Sequence, residues 1–281
     1  LADIGHQGAW QLEWWSIYTA NTLCLDDYQH GRVFFIGDSA HIVPIFGVRG
    51  LNNGLTDAHN IGWKLGRVLN GEADARLLDS YSPERRGATL DVFANATKST
   101  QFMTPPTRGW RLAREAALSL AIDHEFPRGL ANPRQMQPYT YSSSPLSRPS
   151  ADEAAFAAGP TCGAACPNVK FADGRYLLDL TGDGYSGVMF VDRPLNEAET
   201  ELLAALRTRD RRCKPILIAI AGANVPGATV ADHDGGAAGM LGARPGTFYL
   251  LRPDLHVAGR WRTFAAPQIL EALGAGLGAP T

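Results

Sequence analysis

Gly37 and Asp38 end an apolar run, Val33, Phe34, Phe35 and Ile36, whose composition predicts a short buried strand. A carboxylate at the end of such a strand can accept hydrogen bonds from sugar or polyol hydroxyls, and open α/β sheets bind ligands at that end. Taken alone, Asp38 is better read as a cap on the turn that follows it. The loop from Pro44 to Asn52 changes that balance. Its glycines, Gly47 and Gly50, allow a backbone to approach a ligand closely. The helix predicted behind them, from Leu51 or Asn52 to Leu69, presents unpaired N–H groups and the positive end of its dipole. That end suits a pyrophosphate, or a negative charge developing at the edge of an electron-accepting ring. Each half is a weak signal, and the two at this spacing are a strong one.

Other chemistry-bearing residues are weighed against plainer roles. His41 could touch the same ligand or simply hydrogen-bond within the fold. His59 lies two positions from Asp57 and so on another helix face, which leaves no His/Asp catalytic pair. Ser39 lacks the G-x-S-x-G context of a nucleophile elbow. Trp14, Trp15 and Tyr18 could line an aromatic pocket or pack in the core. Arg49 could meet a phosphate or face water, with water the simpler reading. Cys162 and Cys166 are separated by three residues, which favours packing thiols over a redox pair or a metal site, so no metal is expected.

The elements that must position Asp38 and the glycine loop follow from the patterning. Residues 14–19 and 21–25 carry β-formers, read as one or two strands ahead of the 33–36 strand. Apolar residues at 51, 55, 58, 61, 65, 68 and 69 fall at helical spacing, and Gly71 follows as a stop. Helices are predicted from 74 to 78, from 83 to about 99 with Pro83 in the first turn, and from about 110 to 122. Residues 126–159 form a Pro- and Ser-rich connector. Beyond it come strands at 175–180 and 187–191, a helix at 196–208 and a buried strand at 214–221. A hairpin of 246–251 and 255–261 and a helix at 267–277 follow. Asp173-Gly174 marks a further turn. The fold class is α/β, with 1–125 as one unit and 160–281 as a second, small α/β unit.

Composition sets bounds. The chain has 281 residues and 45% hydrophobic content, enough for a core, and a net charge of −2. That balance gives no footing for nucleic acid or an anionic membrane. No apolar stretch is long enough to span a bilayer. Four cysteines are too few for a disulfide scaffold in a chain of this length, which fits the cytoplasm.

Gly31-Arg32-Val33, Gly37-Asp38-Ser39-Ala40-His41, Pro44, Gly47-Val48-Arg49-Gly50-Leu51-Asn52, Asp57-Ala58, Asn60 and Trp63-Lys64-Leu65 together resemble the second FAD signature of the class A flavoprotein aromatic hydroxylases. Leu77-Leu78-Asp79-Ser80-Tyr81 and Glu84-Arg85-Arg86 resemble a later segment of that family. Residues 160–277, with Leu178-Asp179-Leu180 and Arg252-Pro253-Asp254, resemble the thioredoxin-like tail of its phenol hydroxylase branch. Many members have two successive prolines where this chain has Pro44-Ile45.

The resemblance implies a partial FAD-binding domain followed by a thioredoxin-like domain. It implies that Asp38 hydrogen-bonds the ribityl chain and that backbone groups at Gly47, Gly50, Leu51 and Asn52 face the pyrophosphate and pyrimidine edge of FAD. Pro44 and Ile45 would lie near the reactive carbon. NAD(P)H would reduce the flavin, and O2 would be used to hydroxylate a small aromatic, phenolic substrate. A homodimer is compatible with such a tail. No G-x-G-x-x-G stands behind an early strand, so the chain is expected to be the C-terminal portion of the enzyme and inactive by itself. The rival reading is a non-catalytic structural or dimerisation module.

Overall fold

The structure is a computed structural model that describes residues 5, 7–17, 19, 21–44, 49–131, 137–220 and 222–278. Its first strands are short: β1 (Leu23–Cys24), β2 (Gln29–His30), β3 (Val33–Phe34) and β4 (His41–Ile42). β1 pairs with β4 and β2 with β3, both antiparallel. The 33–36 strand expected to be buried is thus a two-residue hairpin arm, and Val33 is 54% exposed. No strand forms at residues 14–17, where Trp14 is 79% exposed, while Tyr18 lies outside the described residues. β-formers need a neighbouring ladder to satisfy their backbone groups, and among the described residues this stretch has none. Trp14 and Trp15 are exposed and so not core residues.

Helix α1 (Arg49–Leu69) begins slightly earlier than the sequence suggests and ends where Gly71 adopts φ +69°. Its buried face is not the apolar one. Asn53, Asp57, Asn60, Ile61, Lys64 and Arg67 point inward, whereas Leu51 is 73% exposed. The helical period was legible, and the polar stripe is the one that packs. A 3-10 turn over Ala75–Ser80 replaces the helix expected at 74–78 and feeds α2 (Tyr81–Met103). α3 (Arg108–Leu120), capped by Thr107 at its start, and α4 (Glu125–Ala131) follow.

The second half centres on one mixed sheet. A four-residue helix, α5 (Leu177–Leu180), stands where 175–180 read as a strand, because the Asp179 carboxylate accepts from the Tyr176 N–H (2.7 Å) and caps it. The sheet is built from β5 (Ser186–Val191), β6 (Lys214–Ile220), β7 (Val230–Asp232), β8 (Phe248–Leu251) and β9 (Val257–Trp261), in the order β7-β6-β5-β8-β9. β5, β6 and β7 run parallel, while β8 is antiparallel to both β5 and β9. Alternate residues face opposite sides. Val188 and Phe190 join one core cluster, and Met189 and Val191 join the other. α6 (Glu197–Arg209) and α8 (Ala266–Gly276) cover the second face through Leu202, Leu206, Ile269 and Leu273, and α7 (Gly236–Met240) meets the first through Ala237. β7 and α7 were not anticipated, since their Gly- and Ala-rich sequence carries little periodicity.

The two halves are packed together. Trp63 of α1 stands edge-on to Tyr185 with ring centroids 6.1 Å apart. Arg67, near the end of α1, forks onto Asp210 beyond α6 at 2.7 and 2.9 Å, both side chains buried. Such a bidentate pair fixes relative orientation as well as distance.

Candidate functional site

Between β3 and β4 the chain makes a single turn of 3-10 helix, Gly37–Ser39. Gly37 sits at φ +54°, a conformation that glycine adopts without cost. Ser39 Oγ donates to the Ile36 carbonyl at 2.7 Å, and the Ala40 N–H donates to the Gly37 carbonyl at 2.8 Å. α1 lies against the back of this turn. A Cβ on Gly54 would stand only 3.2 Å from Gly37 Cα, so glycine here permits close approach. The Asp38 carboxylate is left exposed, with no hydrogen-bond or ionic partner among the described residues.

Behind the turn, Asp57 of α1 is fully buried. Its Oδ2 accepts from the Gly37 N–H (3.0 Å) and lies 2.7 Å from His41 Nε2; its Oδ1 accepts from Arg85 Nε of α2 at 2.6 Å. Burial alone pushes the Asp57 carboxyl up, but His41 and Arg85 outweigh it and hold it below the usual carboxylate range. An ionised carboxylate only accepts, so His41 carries its proton on Nε2. His41 is thus an internal hydrogen-bonding residue, the plainer of its two sequence readings. A His/Asp pair does exist, but it joins His41 to Asp57 and lies inside the scaffold.

The other sequence-derived site residues divide. Pro44 is half-buried just past β4. Gly50, Leu51 and Asn52 form the first turn of α1, with Leu51 and Asn52 exposed; Gly50 precedes Gly54 by one helical turn. The structure therefore sets the Asp38 turn beside the N-terminal turns of α1. Ile45 and Gly47 lie outside the described residues. Arg49 does not face water: it is buried, and its Nη1 lies 3.5 Å from the Val92 carbonyl. A cavity of about 450 Å³ opens alongside, lined by Asn52, Asn53, Thr56 and His59 of α1, Asp91 of α2, Tyr139, Tyr141 and, from the sheet half, His256.

Sequence reasoning did not assign the residues that carry most of the buried charge. Glu84 of α2 accepts from Lys64 Nζ (2.8 Å), Asn60 Nδ2 (2.8 Å), Arg252 Nη1 (2.6 Å) and Arg252 Nη2 (2.9 Å), and also from Ser144 Oγ. Asp254 holds the other side of Arg252 at 2.9 and 2.6 Å and accepts from Asn60 at 3.1 Å. Burial would raise Glu84 and Asp254, but the facing cations reverse it and keep both carboxyls well below their ordinary values. Burial draws the Lys64 ammonium down to about 8 despite its carboxylate partner. The Glu84-Arg85 pair, quoted above only for family resemblance, was the available signal. One residue grips the sheet half through Arg252, and the next grips the Gly37–Ser39 turn through Asp57.

The arrangement offers a free carboxylate and a helix N-terminus at one edge, on a scaffold in which Asp57, Glu84 and Asp254 are each paired with buried cations. No group of three or more potential metal ligands occurs among the described residues. All four cysteines are free, and burial pushes the Cys162 and Cys166 thiols up to about 12. No described helix is long and apolar enough to cross a membrane.

Residues 5–96 match the family model described as the FAD binding domain. The 3-(3-hydroxy-phenyl)propionate/3-hydroxycinnamic acid hydroxylase of Mycobacterium sp. (strain JLS) is 27% identical over 265 residues, covering 92% of this chain and 46% of that protein. The chain thus spans about half the length of the curated relatives that it matches along most of its own. In fold it is similar to the flavin-dependent monooxygenase PieE in complex with FAD and substrate, with a TM-score of 0.69 at 22% identity over 94% of this chain and 50% of that one. Aklavinone-11 hydroxylase in a ternary complex with FAD and aklavinone gives a TM-score of 0.68 at 23% identity over 92% of this chain and 45% of that one.

Proposed function

We infer from the chain's kinship with the class A FAD-dependent aromatic hydroxylases that it contributes the flavin-facing part of an FAD site. The protein is proposed to act as an NAD(P)H- and O2-dependent monooxygenase on an aromatic, phenolic substrate. The observation that carries this reading is the contrast between two aspartates. Asp57 is buried and held by three partners, whereas Asp38, on the turn that Asp57 supports, is exposed and unpartnered among the described residues. With Asp57 paired in the interior, Asp38 is left available for a ligand bearing hydroxyls.

FAD fits this edge. The Asp38 carboxylate is placed to accept from ribityl hydroxyls, and the first N–H groups of α1, around Gly50, Leu51 and Asn52, are placed to meet an anionic group of the cofactor. Pro44 is proposed to lie near the reacting ring, and the family resemblance extends that role to Ile45 and a pyrophosphate- or pyrimidine-facing role to Gly47. FAD, when bound, supplies the redox chemistry: it takes electrons from NAD(P)H and passes them to O2. The chain's own residues bind and orient. None of the side chains located here is assigned proton transfer.

Residues 160–281 are proposed to be a thioredoxin-like domain without redox function, joined to residues 1–125 through the connector 126–159. The strand order β6-β5-β8-β9, with β5 and β6 parallel and α6 and α8 on one face, supports that reading. Buried, high-pKa thiols at Cys162 and Cys166 support a structural role.

The test is a titration of FAD into the protein, followed by flavin fluorescence and absorbance. Saturable binding that weakens about tenfold in Asp38→Ala, the loss of roughly one charge-assisted hydrogen bond, supports the assignment. Binding indifferent to Asp38→Ala contradicts it.

A further inference from the structure

Asp38 and Pro44 can act on a cofactor only if the segment between Gly37 and His41 holds one shape. Two-residue strands and a single 3-10 turn do not supply that rigidity themselves. One oxygen of α1 ties this segment to the helix behind it. Asp57 Oδ2 lies 3.0 Å from the Gly37 backbone nitrogen and 2.7 Å from His41 Nε2. It therefore binds both ends of the segment that displays Asp38. The other oxygen, Oδ1, is occupied by Arg85 at 2.6 Å, and Arg85 is fixed in turn by Asn53 Oδ1 (2.6 Å) and Tyr141 Oη (2.9 Å). Asp57 is itself seated on α1, the helix whose first turn carries Gly50, Leu51 and Asn52.

We propose that Asp57 is a positioning residue for the cofactor site: its Oδ2 clamps Gly37 and His41 to α1 and so sets Asp38 in register with the helix N-terminus. The inference rests on the FAD reading above. It assigns no contact between Asp57 and the cofactor, because Asp57 is fully buried behind the turn. The clamp works with a carboxylate and not with an amide. In Asp57→Asn one of the two positions becomes an N–H donor, facing either Arg85 or the Gly37 and His41 donors, so both sets of partners cannot be satisfied. Gly54 reinforces the arrangement, since a Cβ there would stand 3.2 Å from Gly37 Cα and the turn would have to give to admit it.

The experiment compares wild type, Asp57→Asn, Asp38→Ala and a control, Lys64→Met. Lys64 breaks a buried pair further along α1 without touching the turn. Three readouts are taken well below each variant's melting temperature: FAD affinity, the absorption spectrum of bound flavin, and hydrogen exchange of a peptide spanning residues 37–41. Asp57→Asn is expected to weaken FAD about tenfold (equivalent to about 1.4 kcal/mol), to shift the flavin spectrum and to speed exchange in that peptide. Lys64→Met is expected to lower the melting temperature yet leave all three within about twofold of wild type. If Lys64→Met weakens FAD as much as Asp57→Asn, the effect is general destabilisation and the proposal falls. If Asp38→Ala weakens FAD while Asp57→Asn leaves affinity and spectrum unchanged, the positioning role is overturned and the FAD reading stands. If Asp38→Ala has no effect, the FAD reading fails, and with it the positioning role, whatever the exchange data show.

Discussion

Replacing Glu84 with glutamine should cost this protein a large part of its stability. Glu84 is almost fully buried and accepts from Lys64, Asn60, Ser144 and twice from Arg252. Glutamine keeps the shape but removes the charge, and it turns one acceptor into a donor aimed at donors. Two buried cations, Lys64 and Arg252, would then share the single carboxylate of Asp254. Removing one partner of a buried pair costs about 3–5 kcal/mol, because the partner left behind has already lost its water. At roughly 2–4 °C per kcal/mol for chains of this size, the melting temperature should fall by about 10 °C. Thermal unfolding followed by circular dichroism measures it. A further consequence separates this loss from simple cavity formation. Because Glu84 joins α2 to the sheet through Arg252, hydrogen exchange should accelerate in peptides covering both 60–67 and 250–256. A fall of less than about 2 °C, or acceleration confined to one half, would refute the reasoning.

Stability should fall as the pH drops below about 4.3, the ordinary carboxylate range. Asp57, Glu84 and Asp254 all hold folded-state pKa values below their unfolded ones, so their contribution is full above that range and lost beneath it; melting temperatures from pH 7 to 3 test this. Lys64 acts in the same sense in a higher pH window. Its folded pKa of about 8 lies below its unfolded value, so between pH 8 and about 10.4 the unfolded chain binds the extra proton and stability gained at this residue rises with pH. The slope of stability over that window should flatten in Lys64→Met. Alkylation of the native protein should reach half-buried Cys24 before Cys162 and Cys166, whose thiols are buried and pushed up to about 12; peptide mapping of the modified cysteines reads the order.

Much of the architecture was legible because its elements are locally encoded. α1, α2, α6 and α8 follow helical periodicity or capping signals, and β5, β6 and β8 are largely apolar runs. What misled was local propensity without a partner. Trp14 and Trp15 favour strands, but no neighbouring ladder receives them among the described residues, and residues 177–180 took a helix because Asp179 could cap it. The candidate site was half legible. Asp38 and the glycines stood out by type and spacing, since such residues serve ligands directly. Asp57, Glu84 and Arg252 did not, since their meaning depends on contacts distant in sequence, such as Gly37 with Asp57, 20 positions apart, and Glu84 with Arg252, 168 apart. The sequence reading of α1 followed its apolar residues and did not single out its polar stripe. It is buried because each of its charges finds an opposite charge on α2 or on the sheet half, which periodicity cannot reveal.

The central proposal is a division of labour between the exposed Asp38, assigned to the flavin, and the buried acids, which hold the fold. A crystal structure of the protein with FAD tests it most directly. The account predicts the Asp38 carboxylate within about 2.5–3.0 Å of a ribityl hydroxyl, with the flavin edge over the first turn of α1 and the Asp57 contacts unchanged. FAD bound elsewhere, or bound with Asp38 still facing only solvent, would contradict it.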